Sequence, residues 1–365
     1  MNLRLFPSRR IALYMAKLFV LRSLAVLAAL VVVLQTLDLL GESGKILRVD
    51  GNGDPELWHY VSLRIPQLIA RFLPFSVLLG TLITLATLNQ NSEIVSMKAA
   101  GISAHQIIAP LVLASLVIAG ITFVFQERVV TRATATLAAW QAVDYGPIPP
   151  ASGVANNVWV RNGDDLIFAA AVSGRGAATR LRNVKVYDRQ GGTLARTIEA
   201  AAARPAQGGG WLLENPALFE VATTTERRLP SLVIARGVDP TQFTLANVDP
   251  DEQDFRTLED SIRQMEAAGR PTGPLQAGLW HKFSGPLSAV LMPLLAAVAA
   301  FGLARSGQLA IRAVAGMALG FAYFVADNFA LAMGNFGAYP PLLAAWAPFA
   351  LFLLIGETVL IRTEE

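Results

Sequence analysis

The runs 72-FLPFSVLLGTLITLATL-88 and 107-IIAPLVLASLVIAGITFVF-125 enclose a short polar stretch, 91-NSEIVSMKAAGIS-103. Each outer run is the charge-free part of a segment long enough to cross a bilayer, which takes about 20 residues in a helix. The stretch between them is more than a turn. Glu93 falls where a carboxylate suits the positive end of a helix. Ile94, Met97 and Ala100 or Gly101 recur every three to four residues, and Gly101 is a natural stop. Ser103 and Gln106 then form an S-x-x-Q capping box at the start of the next span. The pattern predicts a helix of two to three turns within about 91–102, lying across the ends of two spans. Two readings stay open: a linker that covers the span ends, or a rigid knob that fits a separate motor.

The same reading extends outward. The chain has 365 residues, 53% hydrophobic and 16% charged. An average soluble protein is about 25% charged, so this composition belongs to a membrane protein. Six spans are expected, at about 18–40, 66–88, 106–126, 279–303, 311–333 and 341–361. The first, 18-LFVLRSLAVLAALVVVLQTLDLL-40, exceeds a signal-peptide core and ends without an A-x-A-like site, so it reads as a retained span. Arg4, Arg9, Arg10 and Lys17 before it, Arg305 and Arg312 after the fourth, and Arg362 at the end put those segments in the cytoplasm. On the other side, Lys45, Arg48 and Arg64 are diluted by acids, and 334-GNFGAYP-340 has no basic residue.

The middle of the chain changes character. Runs such as 158-VWVRNGDDLIFAA-170, with Asn-Gly at a turn, 184-VKVYDRQGG-192, 211-WLLENPALFEV-221 and 229-LPSLVIA-235 read as strands. Together they suit a β-sandwich or jellyroll. The segment 256-RTLEDSIRQMEAAG-269 turns helical, with Leu258, Ile262 and Met265 on one face and Gly269 past its end. The expected fold is an α-helical membrane protein, three spans plus three, with an inserted external β-jellyroll domain. The expected divisions are 1–126, 127–277 with a connecting helix, and 278–365.

Motifs for chemistry are few. There is no cysteine, which excludes disulfides and thiolate chemistry. The net charge of +3, without a basic stripe, gives no footprint for nucleic acid. A phosphate-binding loop is missing, since 41-GESGKI-46 lacks the first glycine spacing and the Ser/Thr. His59, His105 and His281 have no ligand-spaced partner, so interfacial histidines are expected and no metal site is. Asp327 and Asn328 fall inside the fifth span, where an unpaired charge is costly and must face other helices or a cavity. Gly316 and Gly320 form a G-x-x-x-G suited to close helix approach.

The stretch SEIVSMKAAGIS resembles the coupling-helix motif of the lipopolysaccharide export permeases, the LptF/LptG family, with its Glu, its Met and A-x-G-x-S. The likeness continues through 14-YMAK-17, 247-NVDPD-251, 279-LWHKFSGPLSAVLM-292, 320-GFAYFVADNF-329 and 337-GAYPPLLAAWAP-348, and lies closer to the LptG branch than to LptF. The resemblance implies a Gram-negative inner-membrane subunit, both termini cytoplasmic and the β domain periplasmic. It implies an LptF-like second permease, an LptB-like ATPase dimer, and LptC-like and LptA-like jellyroll proteins, with lipopolysaccharide as cargo. ATP would be used by the partner ATPase, and this chain would bind no cofactor and hold no catalytic residue. Glu93, Met97 and Gly101 then become the ATPase-coupling residues. Lys282, Arg71, Arg128 and Arg132 become candidates for the lipid A phosphates, with interfacial anchoring the other reading. Gln35 stands where some members carry a basic residue on the inner face of the first span. Asp38 and Asp327, in spans that form lateral openings in the family, become gate candidates, with helix pairing the other reading.

Other classes make different demands. A membrane-anchored sensor needs a cytoplasmic output domain, and the expected cytoplasmic segments are short. A permease driving external mechanical work usually carries its domain after the first span. An ion-coupled carrier needs midplane charges paired across inverted repeats, and Asp327 is the one such charge evident.

Overall fold

A computed structural model describes residues 8–147, 155–174, 176–206, 209–244, 248–267, 269–301 and 309–362. Arg4, Arg305, Asn247 and the end of the expected fourth span therefore lie outside the described residues. The chain divides into two compact units, one of residues 1–135, 250–258 and 272–365, the other of 136–249 and 259–271.

The first unit is helical. Its elements are α1 (Arg9–Ile46), α2 (Asp54–Gln90), α3 (Glu93–Ala99) and α4 (Ala104–Phe125). A π-helical turn, Gln126–Val130, leads into α5 (Thr131–Gln141), which passes into the second unit at Thr136. After the β region come α7 (Phe255–Ala267), which belongs to the first unit only as far as Leu258, then α8 (Gly273–Phe301), α9 (Leu309–Asn335) and α10 (Pro341–Arg362). Among the described residues, five helices are long and apolar enough to cross a membrane, those of α1, α2, α4 with its continuation, α9 and α10. The 29-residue α8 is the sixth long apolar helix. It packs against α2, α4, α9 and α10, and every residue from Leu291 to Ala297 is buried. A helix buried all round is a core helix.

By contrast α1 buries one narrow stripe, Met15, Phe19, Ser23, Leu27, Val31 and Gln35, at four-residue spacing. Its other faces expose Leu21, Leu24, Val32, Val33, Leu37 and Leu40, as suits a helix in lipid. The stripe meets α2 closely. A Cβ on Gly80 would lie 2.2 Å from Ser23 Oγ and 2.7 Å from its backbone, so only glycine fits there. On α9, Gly320 lies against the end of the Leu78 side chain, whose Cδ2 would be 2.2 Å from a Cβ there. The first two helices run well beyond their expected spans. Arg64 thus belongs to α2, not to a loop, and 41-GESGKI-46 forms the last turns of α1.

The second unit holds β1 (Ala155–Asn162), β2 (Asp165–Ser173), β3 (Arg180–Gln190), β4 (Thr193–Pro205), β5 (Trp211–Glu214), β6 (Ala217–Glu220), β7 (Thr225–Arg228) and β8 (Ser231–Ile234). All pair antiparallel in one sheet. The last four are two interrupted strands: β5 and β6 lie along successive parts of β4, and β8 and β7 pair with them in turn. The break falls at Asn215-Pro216 opposite Pro230, where bonds from Asn215 N to Pro230 O (3.2 Å) and Leu229 N to Pro216 O (3.0 Å) carry the pairing across. The described strands therefore follow one another without crossovers. The expected Asn-Gly turn closes β1–β2, with Asn162 opposite Asp165, and Gly191-Gly192 closes β3–β4. One face buries Val158, Val160, Ile167, Ala169, Val184, Val186, Ile198 and Trp211. Phe243 of α6 (Pro240–Thr244) packs edge-on against Trp211 at 4.9 Å, while Trp211 Nε1 donates to Val238 O at 3.1 Å.

Candidate functional site

Local signals build α3. Met97 O accepts from Ile102 N and Lys98 O from Gly101 N, both at 3.0 Å, with Gly101 at φ +80°. This is the double bond of a Schellman stop, and it needs a left-handed residue where glycine stands. The capping box also forms: Ser103 Oγ accepts from Gln106 N (3.2 Å) and Gln106 Oε1 from Ser103 N (3.1 Å). Ser92 enters the helix at φ +59° without capping it through its side chain. Ile94 is buried and Met97 packs partly against the same apolar core. Met97 therefore seats the helix on the bundle. The outward face carries Val95, 61% exposed, with Ser96, Lys98 and Ala99. Val95 was not singled out from the sequence, although it stands out of phase with the Ile94–Met97 stripe. Glu93 accepts from Tyr14 Oη and from Asn91 Nδ2, each at 3.3 Å, so it ties α3 to α1 as well as serving the helix start.

At the far end of the same unit, long-range contacts replace local ones. Glu127, in the π turn, accepts from Lys282 Nζ on α8 through Oε1 at 2.9 Å. Its Oε2 accepts from Phe255 N at 2.5 Å, satisfying an amide in the first turn of α7. Asp254 caps that helix by accepting from Thr257 N at 2.8 Å. The Thr257 backbone N–H, and then its hydroxyl, hold the Asp254 carboxyl below the usual carboxylate range. Phe283 stacks on Phe123 at 5.3 Å and meets Phe255 edge-on at 5.4 Å. Lys282 is 4% exposed and Glu127 15% exposed. Lys282, expected as a cation facing phosphate, is thus a neutralised strut between α8 and the π turn. Glu127 was missed because its partners lie 128 and 155 residues away.

The other expected cations differ. Arg71 and Arg128 are exposed and have no bonded partner among the described residues, while Arg132 is exposed but engaged. In the π segment Glu127 turns in while Arg128, the next residue, faces out. Gln35 is buried, and neither its Nε2 nor its Oε1 has a partner. Asp38 sits in a complete set of bonds: Arg64 Nη2 to Oδ1 at 3.0 Å, Arg64 Nε to Oδ2 at 3.1 Å, and Tyr60 Oη to Oδ2 at 2.5 Å. It fastens α1 to α2. Two histidines expected to be isolated are paired in space. His281 Nε2 lies 3.1 Å from Asp327 Oδ2, and His105 Nε2 lies 3.6 Å from Glu357 Oε2. Among the described residues no three His, Asp or Glu side chains gather as a metal-ligand set.

Comparison with known proteins fits this architecture. Residues 13–362 match the family model described as lipopolysaccharide export system permease LptF/LptG. The chain is 24% identical over 309 residues to the lipopolysaccharide export system permease protein LptG of Escherichia coli (strain K12), covering 83% of this chain and 84% of that one. It is 25% identical over 332 residues to the protein of the same name from Haemophilus influenzae, covering 86% and 89%.

Proposed function

Because the chain belongs to the LptF/LptG family of lipopolysaccharide export permeases, we propose that it is the membrane subunit of an ATP-driven exporter. In this reading it extracts lipopolysaccharide from the inner membrane and passes it to a periplasmic jellyroll bridge. A second, LptF-like permease completes the cavity, an LptB-like ATPase dimer hydrolyses ATP, and LptC-like and LptA-like jellyroll proteins receive the lipid. This chain contributes no catalysis and no cofactor. Both termini and α3 face the cytoplasm, and the β domain is periplasmic.

The observation that most supports this is α3 itself. Seven residues are fixed at their C-terminal end by a Schellman stop and followed directly by a capping box, and they present an exposed aliphatic residue, Val95. A linker needs no such rigidity, whereas a knob seated in an ATPase does. In this role Val95 fills the socket, Glu93 and Gly101 hold the helix in place, and Met97 anchors it to the bundle.

The cargo brings phosphates and acyl chains. Arg128 and Arg71, exposed and without partners among the described residues, and Arg132 are the groups we assign to the phosphates. Gln35 supplies an uncharged amide on α1. Asp38 and Asp327 govern how firmly α1 and α9, the walls of the lateral openings, are held to α2 and α8. The test is transfer of lipopolysaccharide from liposomes holding the assembled permease and ATPase to a jellyroll acceptor. Transfer is expected to need ATP and to fall severalfold in Arg128→Ala with ATPase binding intact. ATP-independent transfer would overturn the reading.

A further inference from the structure

Between α8 and α9 lies a polar seam that neither the coupling helix nor the rim cations explain. His281, Ser284 and Ser288 follow one another on one face of α8, and Tyr323 and Asp327, four apart, share a face of α9. His281 Nε2 and Asp327 Oδ2 meet at 3.1 Å. Asp327 is 8% exposed, and Ser284, Ser288 and Tyr323 are also buried. The second Asp327 oxygen, Oδ1, and Ser284 Oγ are buried without a hydrogen-bond partner. The imidazole lies close over Gly285, where a Cβ would come 3.3 Å from His281 Cε1.

Among the described side chains, charges on the surrounding helices are engaged elsewhere or face outward. α8 packs against α2, α4, α9 and α10. On α2, Arg71 is exposed and Arg64 is held by Asp38. His105 of α4 and Glu357 of α10 pair with each other. Lys282, next to His281, is held by Glu127. The groups left facing the pair, Ser284, Ser288 and Tyr323, carry no charge at neutral pH. The charge balance of the seam therefore depends on one proton. With it bound, an imidazolium donates to a carboxylate and the seam is neutral. With it released to water, a carboxylate remains whose Oδ1 has no partner, in a segment where an unbalanced charge is costly.

We propose that His281 and Asp327 bind one exchangeable proton, and that its presence holds α9 against α8. The pair is tight with the proton bound and loosens when the proton is lost. The inference does not depend on the export reading, because it concerns two helices of this chain alone.

The chain has no native cysteine, so spin labels can be placed singly on the exposed positions Trp280 of α8 and Phe329 of α9. In nanodiscs of the full chain, the distance between them is measured across pH. Wild type should show two populations whose ratio changes with pH by several-fold and by no more than about tenfold per pH unit, the limit for one proton. Asp327→Asn and His281→Gln should each flatten the response while circular dichroism stays that of the folded chain. If either variant fails to fold, the other carries the test. Invariant distances in wild type would overturn the proposal. So would a shift that persists in the folded variants, or one that follows sodium at fixed pH, which would mark a metal-cation site instead.

Discussion

The two ends of the helical unit are held by different kinds of contact. Around α3 the deciding bonds join residues three to five apart: Ser103 with Gln106, Met97 with Ile102, Lys98 with Gly101. At the other end, one carboxylate ties residues 128 and 155 positions away, and Asp38 reaches 26 residues to Arg64. At the first end the stop and the cap are specified by adjacent residues, although packing of Ile94 and Met97 on the bundle holds the short helix. The second exists only once the bundle has assembled. A part that must keep its shape while partners come and go suits the first construction, and a strut between helices suits the second.

The sharpest way to break this comparison is at Glu127. Glu127→Ala leaves Lys282 buried and alone, and is expected to cost roughly 3–5 kcal/mol in detergent unfolding. The apolar pair Glu127→Leu with Lys282→Met should recover most of it. If the single change costs little, the strut is not structural, and Lys282 returns as a phosphate ligand. Gly101→Val tests the opposite end, since a β-branched residue at φ +80° should cost about 1–2 kcal/mol. It should appear as faster amide exchange in α3 with the outer end unchanged. Ser103→Ala, which removes one arm of the capping box, should cost about 1 kcal/mol, read the same way.

Acid distinguishes the ends as well. The bonds to Thr257 depress the folded Asp254 value, so its contribution is complete above the unfolded value of about 3.9 and is lost as pH falls through the folded one. Exchange at the Thr257 amide should therefore rise at acid pH before exchange in the capping box of α4. The smallest expected effect is a gain. Ser92→Gly relieves a left-handed serine and should stabilise α3 by about 0.5 kcal/mol after the entropic cost of glycine.

The same division explains what could be read from the sequence. The turn at 162–165, the Gly191-Gly192 hairpin, the stop at Gly101 and the capping box were legible because each is written in adjacent residues. The helix with Leu258, Ile262 and Met265 buried was legible from its period. β4 was not assigned, because 193-TLARTIEAAAARP-205 is rich in alanine and takes its strand form from β3 on one side and β5 and β6 on the other. Lys282 was expected as a cation facing phosphate, and its ion pair with Glu127 was not legible, because no local signal joins the two. His281 looked solitary for the same reason, its partner lying 46 residues on.

The central claim is that α3 is the joint to a separate motor. It is tested most directly by purifying the tagged chain from its native membrane in mild detergent, as wild type, Val95→Asp and Glu93→Ala, and identifying what accompanies it. The account predicts an ATPase and a second six-span permease with the wild type. It predicts that Val95→Asp keeps the permease and loses most of the ATPase, with Glu93→Ala weakened less. Recovery of the folded wild type without any ATPase, or of undiminished ATPase with Val95→Asp, would contradict it.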